Sequence, residues 1–138
     1  MSRDEWLAFL QDPVRPGLLA TTRKDGRPHV APIWYALDGE TLVFNTGADT
    51  VKGRNIRRDG RASICVQDDR PPFSFVTVSG VAEWSDQIDE VRRWAGVIGG
   101  RYMGADRADE YGDRNGVPGE LLVRLRPTHV VAETEIAD

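Results

Sequence analysis

Apolar and polar positions change period several times along this chain, and each change marks an element. Near the start, Trp6, Leu7 and Leu10 recur at helical spacing. Ser2 and Glu5 stand ahead of them in capping-box register, where the serine oxygen and the glutamate each satisfy a backbone amide of the other. The pattern predicts a short helix that ends before Pro13. Gly17–Arg23 predicts a strand, and Asp25-Gly26 a tight turn, since glycine supplies the positive φ that such turns need. A second strand is predicted over Pro28–Leu37, with Val30, Pro32 and Trp34 on one face and Ala31, Ile33 and Tyr35 on the other. Asp38-Gly39 turns into a third, Thr41–Thr46.

A short basic helix follows, stopped by Asp59-Gly60. Ala62–Asp68 and the long run Phe73–Trp84 read as strands, with Gly80 marking a bulge or bend. Ser85 is placed to cap a helix from about Gln87 to Tyr102, in which Ile88, Val91, Ala95 and Ile98 keep helical spacing. Residues 103–119 are rich in glycine and acid, which predicts a mobile loop. Glu120–Arg126 and His129–Thr134 predict two closing strands joined at Pro127. Many short strands with hairpin signals and a few helices predict a mainly β fold, a closed antiparallel barrel with peripheral helices. No linker divides residues 1–138, so one domain is expected.

The helix in the fifties carries the strongest chemical signal. Asp49 or Thr50 is its candidate cap. Lys52 and Arg54 fall in its first turn, where basic side chains oppose the helix dipole. An anion bound there would remove the conflict, because free amides and cations would converge on it. A solvated basic face is the alternative reading. The chain carries a net charge of −4. Residues 51–61 hold five basic side chains and one acidic one, a local +4, so the remainder carries −8. A cationic island on an acidic protein suits a small anionic ligand and not a nucleic-acid backbone.

The other chemistry-bearing residues give less. Cys65 is the only cysteine and lies in a strand, as expected of a small buried apolar residue in a reducing compartment. His29 and His129 are far apart, and no metal site follows from their spacing. Dinucleotide-fingerprint, phosphate-loop and nucleophile-elbow motifs are missing. Arg101, Tyr102 and Tyr111 are candidates for a substrate pocket or simply for a helix end. The N-terminal stretch has no long apolar run, so neither a signal peptide nor a membrane span is expected, and the cytoplasm is the expected location.

The run Gly-Leu-Leu-Ala-Thr-Thr-Arg-Lys-Asp-Gly-Arg-Pro-His-Val-Ala-Pro-Ile-Trp-Tyr (17–35) resembles the opening hairpin of the pyridoxamine 5′-phosphate oxidase-like split β-barrel flavoproteins. Phe44-Asn-Thr, Thr50-Val-Lys52 and Asn55-Ile-Arg-Arg-Asp-Gly-Arg-Ala-Ser-Ile-Cys-Val are similar to that family's next segments, and Val-Arg-Leu-Arg-Pro-Thr-His-Val (123–130) to its closing strands. The likeness is greatest to the actinobacterial deazaflavin-dependent branch that uses coenzyme F420. The resemblance implies an oxidoreductase that moves a hydride between reduced F420 and an unsaturated, planar organic substrate. It also implies a homodimer with the cofactor at its interface. By the same resemblance, Val30, Ala31, Pro32, Ile33 and Trp34 would underlie the ring, Asn45 and Thr46 would lie near the ribityl chain, and Thr50, Lys52, Arg54 and Asn55 would hold the phosphate. No catalytic acid is implied.

One departure matters. The family's true pyridoxamine-phosphate oxidases place an Arg and a Lys in the second strand to help hold the FMN phosphate, where this chain has His29 and Trp34. This tilts the expected cofactor from FMN, the alternative, to F420, whose longer anionic tail would suit Arg57, Arg58 and Arg61. An FMN enzyme of the same fold and a non-enzymatic deazaflavin or haem binder, with His29 or His129 as axial ligand, are the rival readings.

Overall fold

The computed structural model describes all 138 residues. Helix α1 (Arg3–Gln11) is capped as expected: Ser2 Oγ accepts from the Glu5 amide and the Glu5 side chain accepts from the Ser2 amide. Strands β1 (Gly17–Thr22) and β2 (Pro28–Ile33) form the first hairpin, with Gly26 at φ 90° in its turn. The predicted second strand then breaks. Its last residues form a separate strand, β3 (Ala36–Asp38), which pairs with β4 (Thr41–Gly47). Helix α2 (Val51–Asp59), β5 (Arg61–Asp68), β6 (Ser74–Ser85), α3 (Ile88–Met103), a 3-10 turn (Ala105–Arg107), α4 (Ala108–Asn115) and β7 (Glu120–Glu133) complete the chain.

The seven strands make one antiparallel sheet in the order β2-β1-β5-β6-β7-β4-β3. β2 and β3 are consecutive in the chain yet stand at its opposite edges. Only Trp34 and Tyr35 join them, so the sheet must curl until its edges meet at these two residues. They lack the ladder that would close the barrel there, and the split falls at Trp34.

The core sits inside the curl. Leu19, Phe44, Ile64, Val66, Val76, Val78, Val123 and Leu125 alternate inward from five strands, and α1 adds Trp6 and Leu10. Burial of this apolar surface is the main stabilising term. The Tyr35 hydroxyl donates to the Leu10 carbonyl at 2.7 Å, and burial pushes its pKa up to about 12. A second, smaller core lies outside the barrel, where α3 packs Val91, Trp94 and Ile98 on Ala36, Val43 and Leu122.

Three further sequence expectations need correction. Residues 103–119 are no mobile loop, because the 3-10 turn and α4 occupy most of them. Glycine lets these helices pack closely: a Cβ at Gly99 of α3 would collide with the Tyr111 ring of α4, and Gly112 of α4 lies against Gly96 of α3 in turn. The two closing strands are one strand, β7, which passes Pro127 through a register shift opposite Ser79 and Gly80. Gly80 permits this bulge, since a Cβ there would strike the Arg126 carbonyl. Finally, Gln87 takes the N-cap position of α3 without a side-chain bond, while Ser85 Oγ accepts from the Gln87 amide just before it.

Candidate functional site

Thr50, not Asp49, caps α2. Its Oγ1 accepts from the Gly53 amide at 3.1 Å and donates to the Gly47 carbonyl at 2.7 Å, and it also meets Thr46 Oγ1 at 3.1 Å. The helix starts directly over the end of β4, an approach that a side chain on Gly53 would block by striking the Gly47 carbonyl. No acid stands in the first turn. Basic side chains therefore stand at the positive end of the dipole with no acid in the same turn to offset them.

A cleft of about 430 Å³ opens beside this helix start. Pro32, Ile33 and Trp34 form one side where the barrel splits, Ala95, Ile98 and Gly99 of α3 form the other, and Asn45, Lys52 and Asn115 supply polar groups. No carboxylate lines it. Lys52 makes no ion pair or hydrogen bond, so its cation is free to meet a ligand. Trp34 is 39% exposed and stacks on Tyr102, with centroids 5.0 Å apart and planes within 4°. Tyr111 meets the Trp34 ring edge-on. The Tyr102 hydroxyl donates to the Arg15 carbonyl at 2.7 Å and accepts from the Tyr35 amide at 3.2 Å. That network fixes the plane on which Trp34 rests.

The remaining sequence candidates go elsewhere. Val30 is 60% exposed on the outer face of β2, and Ala31 lies half-buried in the same strand without reaching the cleft. Thr46 is buried and engaged with Thr50. Asn55 is buried; its amide donates to Thr21 Oγ1 at 3.0 Å and its Oδ1 accepts from Arg58 at 3.1 Å. It fastens α2 to β1 and has little left for a ligand. Arg54 turns from the cleft into a separate groove of about 650 Å³ with Arg23, Lys24, Arg27 and Arg58.

Arg57 donates to the Ala48 carbonyl at 2.9 Å, and Arg61 pairs with Asp59 at 2.8 Å, holding that carboxyl down to about 2. Arg57 and Arg61 are thus taken up by local partners. Arg101 spans the C-terminal carbonyls of α1, donating to Leu10 and Gln11 at 2.9 and 2.8 Å. Cys65 is half-buried on the outer face of the sheet.

Sequence reasoning passed over Asn115 because it fell in the supposed loop, and over Gly99 because a glycine in a helix gives no periodic signal. It also missed Glu120 at the start of β7. Burial raises the Glu120 pKa, and nearby Lys52 opposes that rise.

The model of the pyridoxamine 5′-phosphate oxidase family matches residues 2–132. The chain belongs to this family. Among solved structures, the conserved hypothetical protein Rv2991 from Mycobacterium tuberculosis is 29% identical, with a TM-score of 0.86, over 98% of this chain and 86% of that one. An F420 reductase is also 29% identical, with a TM-score of 0.70, over 90% of this chain and 94% of its own. The haem storage protein HutZ from Vibrio cholerae shares the fold at 18% identity and a TM-score of 0.72, over 95% and 94%. The scaffold thus serves an F420 reductase in one protein and haem storage in another. No helix of this chain is long and apolar enough to cross a membrane.

Proposed function

We propose that this chain is an F420-dependent oxidoreductase, and that the cofactor lies in the cleft with its ring over Pro32–Trp34 and its phosphate at Lys52. The observation that carries this reading is the convergence, in one cleft free of carboxylates, of an unpaired lysine at a helix start and a flat apolar edge of split barrel. The F420 reductase among its relatives supports the choice of cofactor. When bound, the cofactor supplies a hydride at its own ring carbon, and an unsaturated, planar organic substrate accepts it.

The chain's own residues then bind, orient and exclude water. Lys52 offers a charge-assisted contact to phosphate. Pro32 donates no amide, so the backbone beneath a ring presents a smooth surface there. Asn45 is held by a 3.4 Å bond to the Leu121 carbonyl, and its remaining amide capacity faces the cleft, where it suits a ribityl hydroxyl. Trp34, braced by Tyr102 and Tyr111, forms an aromatic wall. No buried acid–base pair faces the cleft, so no side chain is named as proton donor.

The working unit is a cytoplasmic homodimer in this reading. Pro32, Leu18, Cys65, Thr77 and Val131 stand in register across four strand pairs on the outer sheet face, and the row starts at the cleft's own Pro32. Leu18 and Val131 are exposed there, so a second copy would bury the row and roof the cleft.

Parallel fluorescence or absorbance titration with F420 and FMN tests the assignment. Tight binding of F420 with weak binding of FMN is expected. A purified protein that carries FMN, or prefers it, makes this an FMN enzyme of the same fold. A Soret band on haem addition without binding of either flavin would make it a haem binder.

A further inference from the structure

We propose that Glu120 makes the anion-binding end of the cleft proton-coupled, so that an anionic ligand on Lys52 is taken up together with a proton on the Glu120 carboxyl. The ligand's position rests on the proposed cofactor site; the pairing of the two side chains does not. Glu120 opens β7 directly opposite Gly47, the last residue of β4. Alternation puts it on the same sheet face as Leu122, next to Asn45 of the cleft. Its Oε2 lies 3.4 Å from where a Gly47 Cβ would project, so the carboxyl sits over the turn into α2. That oxygen is buried and has no hydrogen-bond partner. A charged carboxylate in this state is costly.

The surroundings leave one charge to act on it. From β4, Asn45 and Gly47 carry none, nor does the cap residue Thr50. The preceding turn offers Val117, Pro118 and Gly119, all uncharged. Asp49 points to solvent and pairs with Arg57 at 3.8 Å. From α2, Lys52 is the charged group that favours ionisation of Glu120, yet the two do not close an ion pair. Lys52 therefore serves two groups in turn: the Glu120 carboxyl, whose ionised form it favours, when the cleft is empty of ligand, and a phosphate when it is filled. A phosphate on Lys52 withdraws the support for the Glu120 charge and adds a like charge beside it. Both changes drive the carboxyl to take a proton. By linkage, affinity for the anion tightens as pH falls, by up to about tenfold per pH unit between the free and the bound titration points of Glu120.

The test uses the full chain with carbon-13-labelled glutamate carboxyls. Glu120, assigned by its loss in Glu120→Gln, is expected to titrate above the surface glutamates and to move higher still in Lys52→Met. Calorimetry of F420 binding in two buffers of unlike ionisation enthalpy, run across a pH series, is expected to show uptake rising toward one proton between the free and bound titration points of Glu120 in the wild type and none at any pH in Glu120→Gln. Titration of Glu120 with the surface glutamates, no movement in Lys52→Met, or undiminished uptake in Glu120→Gln each overturns the proposal. If neither F420 nor FMN binds, the cofactor reading fails by itself. The Glu120 titration, repeated on the wild type with inorganic pyrophosphate as the anion, then decides the coupling alone: an upward move supports it and no move overturns it.

Discussion

Lys52 and Arg54 stand two residues apart on one helical turn and serve different surfaces. Lys52 enters the cleft, while Arg54 joins the outer groove with Arg23, Lys24 and Arg27. Lys52→Ala should weaken F420 binding by about 1.5–3 kcal/mol, the range of a charge-assisted contact, or roughly ten- to a hundredfold. Arg54→Ala should weaken it far less if only the cleft holds the phosphate. Fluorescence titration separates the two. Glu120 gives a second residue-scale expectation. Its pKa is raised in the folded state, so the folded chain keeps its proton longer than the unfolded chain does. Stability contributed by the neutral form is then full below the ordinary glutamate range and is lost as pH rises through the raised value. Glu120→Gln should therefore raise the melting temperature at pH 8 and leave it unchanged at pH values below the ordinary glutamate range. A lowered melting temperature at pH 8 would mean that the ionised carboxylate is stabilising after all.

At the scale of elements, the start of α2 depends on glycine for close approach. Gly53→Ala would push the helix from the Gly47 carbonyl and break the Thr50 cap geometry. We expect a loss of about 1–3 kcal/mol in stability, as for other overpacked sites, together with weaker cofactor binding because Lys52 moves with the helix. Chemical denaturation and ligand titration on the same variant would check both. Such elements were also where the sequence was most and least legible. The α1 capping box, the Asp25-Gly26 and Asp38-Gly39 turns, and Thr50 as one of two named caps are local chemistry, and local chemistry reads directly. The break after Ile33 is not local. It arises because β2 and β3 must reach opposite edges of one curled sheet, and alternation along 28–37 continues unbroken across the gap. α4 was hidden for a related reason. Gly112 within it and Gly116 at its end lie against α3, and a composition that looks like a loop is what two tightly crossed helices require. At the site, Pro32, Ile33, Trp34, Asn45 and Lys52 meet in one cleft, whereas Asn55 and Thr46 are spent on holding α2 in place, a use that no one-dimensional pattern distinguishes from ligand contact.

At the scale of the whole molecule, the split barrel leaves a mostly apolar row beside its cleft, exposed at Leu18 and Val131. The row from Pro32 to Val131 should be covered by a second copy, so sedimentation is expected to give a dimer. Leu18→Asp, on that outer face, should shift the chain toward monomer and weaken cofactor binding without a comparable loss of fold. A wild-type monomer that binds F420 fully would refute the shared site. The cleft beside the start of α2 is, in this reading, the seat of a flat, anionic redox cofactor. A crystal structure of the chain with F420 bound tests that most directly. The ring is expected to lie along Pro32–Trp34, with the phosphate within hydrogen-bond distance of the Lys52 ammonium. A cofactor seated in the Arg23–Arg54 groove or elsewhere, with Lys52 turned to solvent, would contradict it.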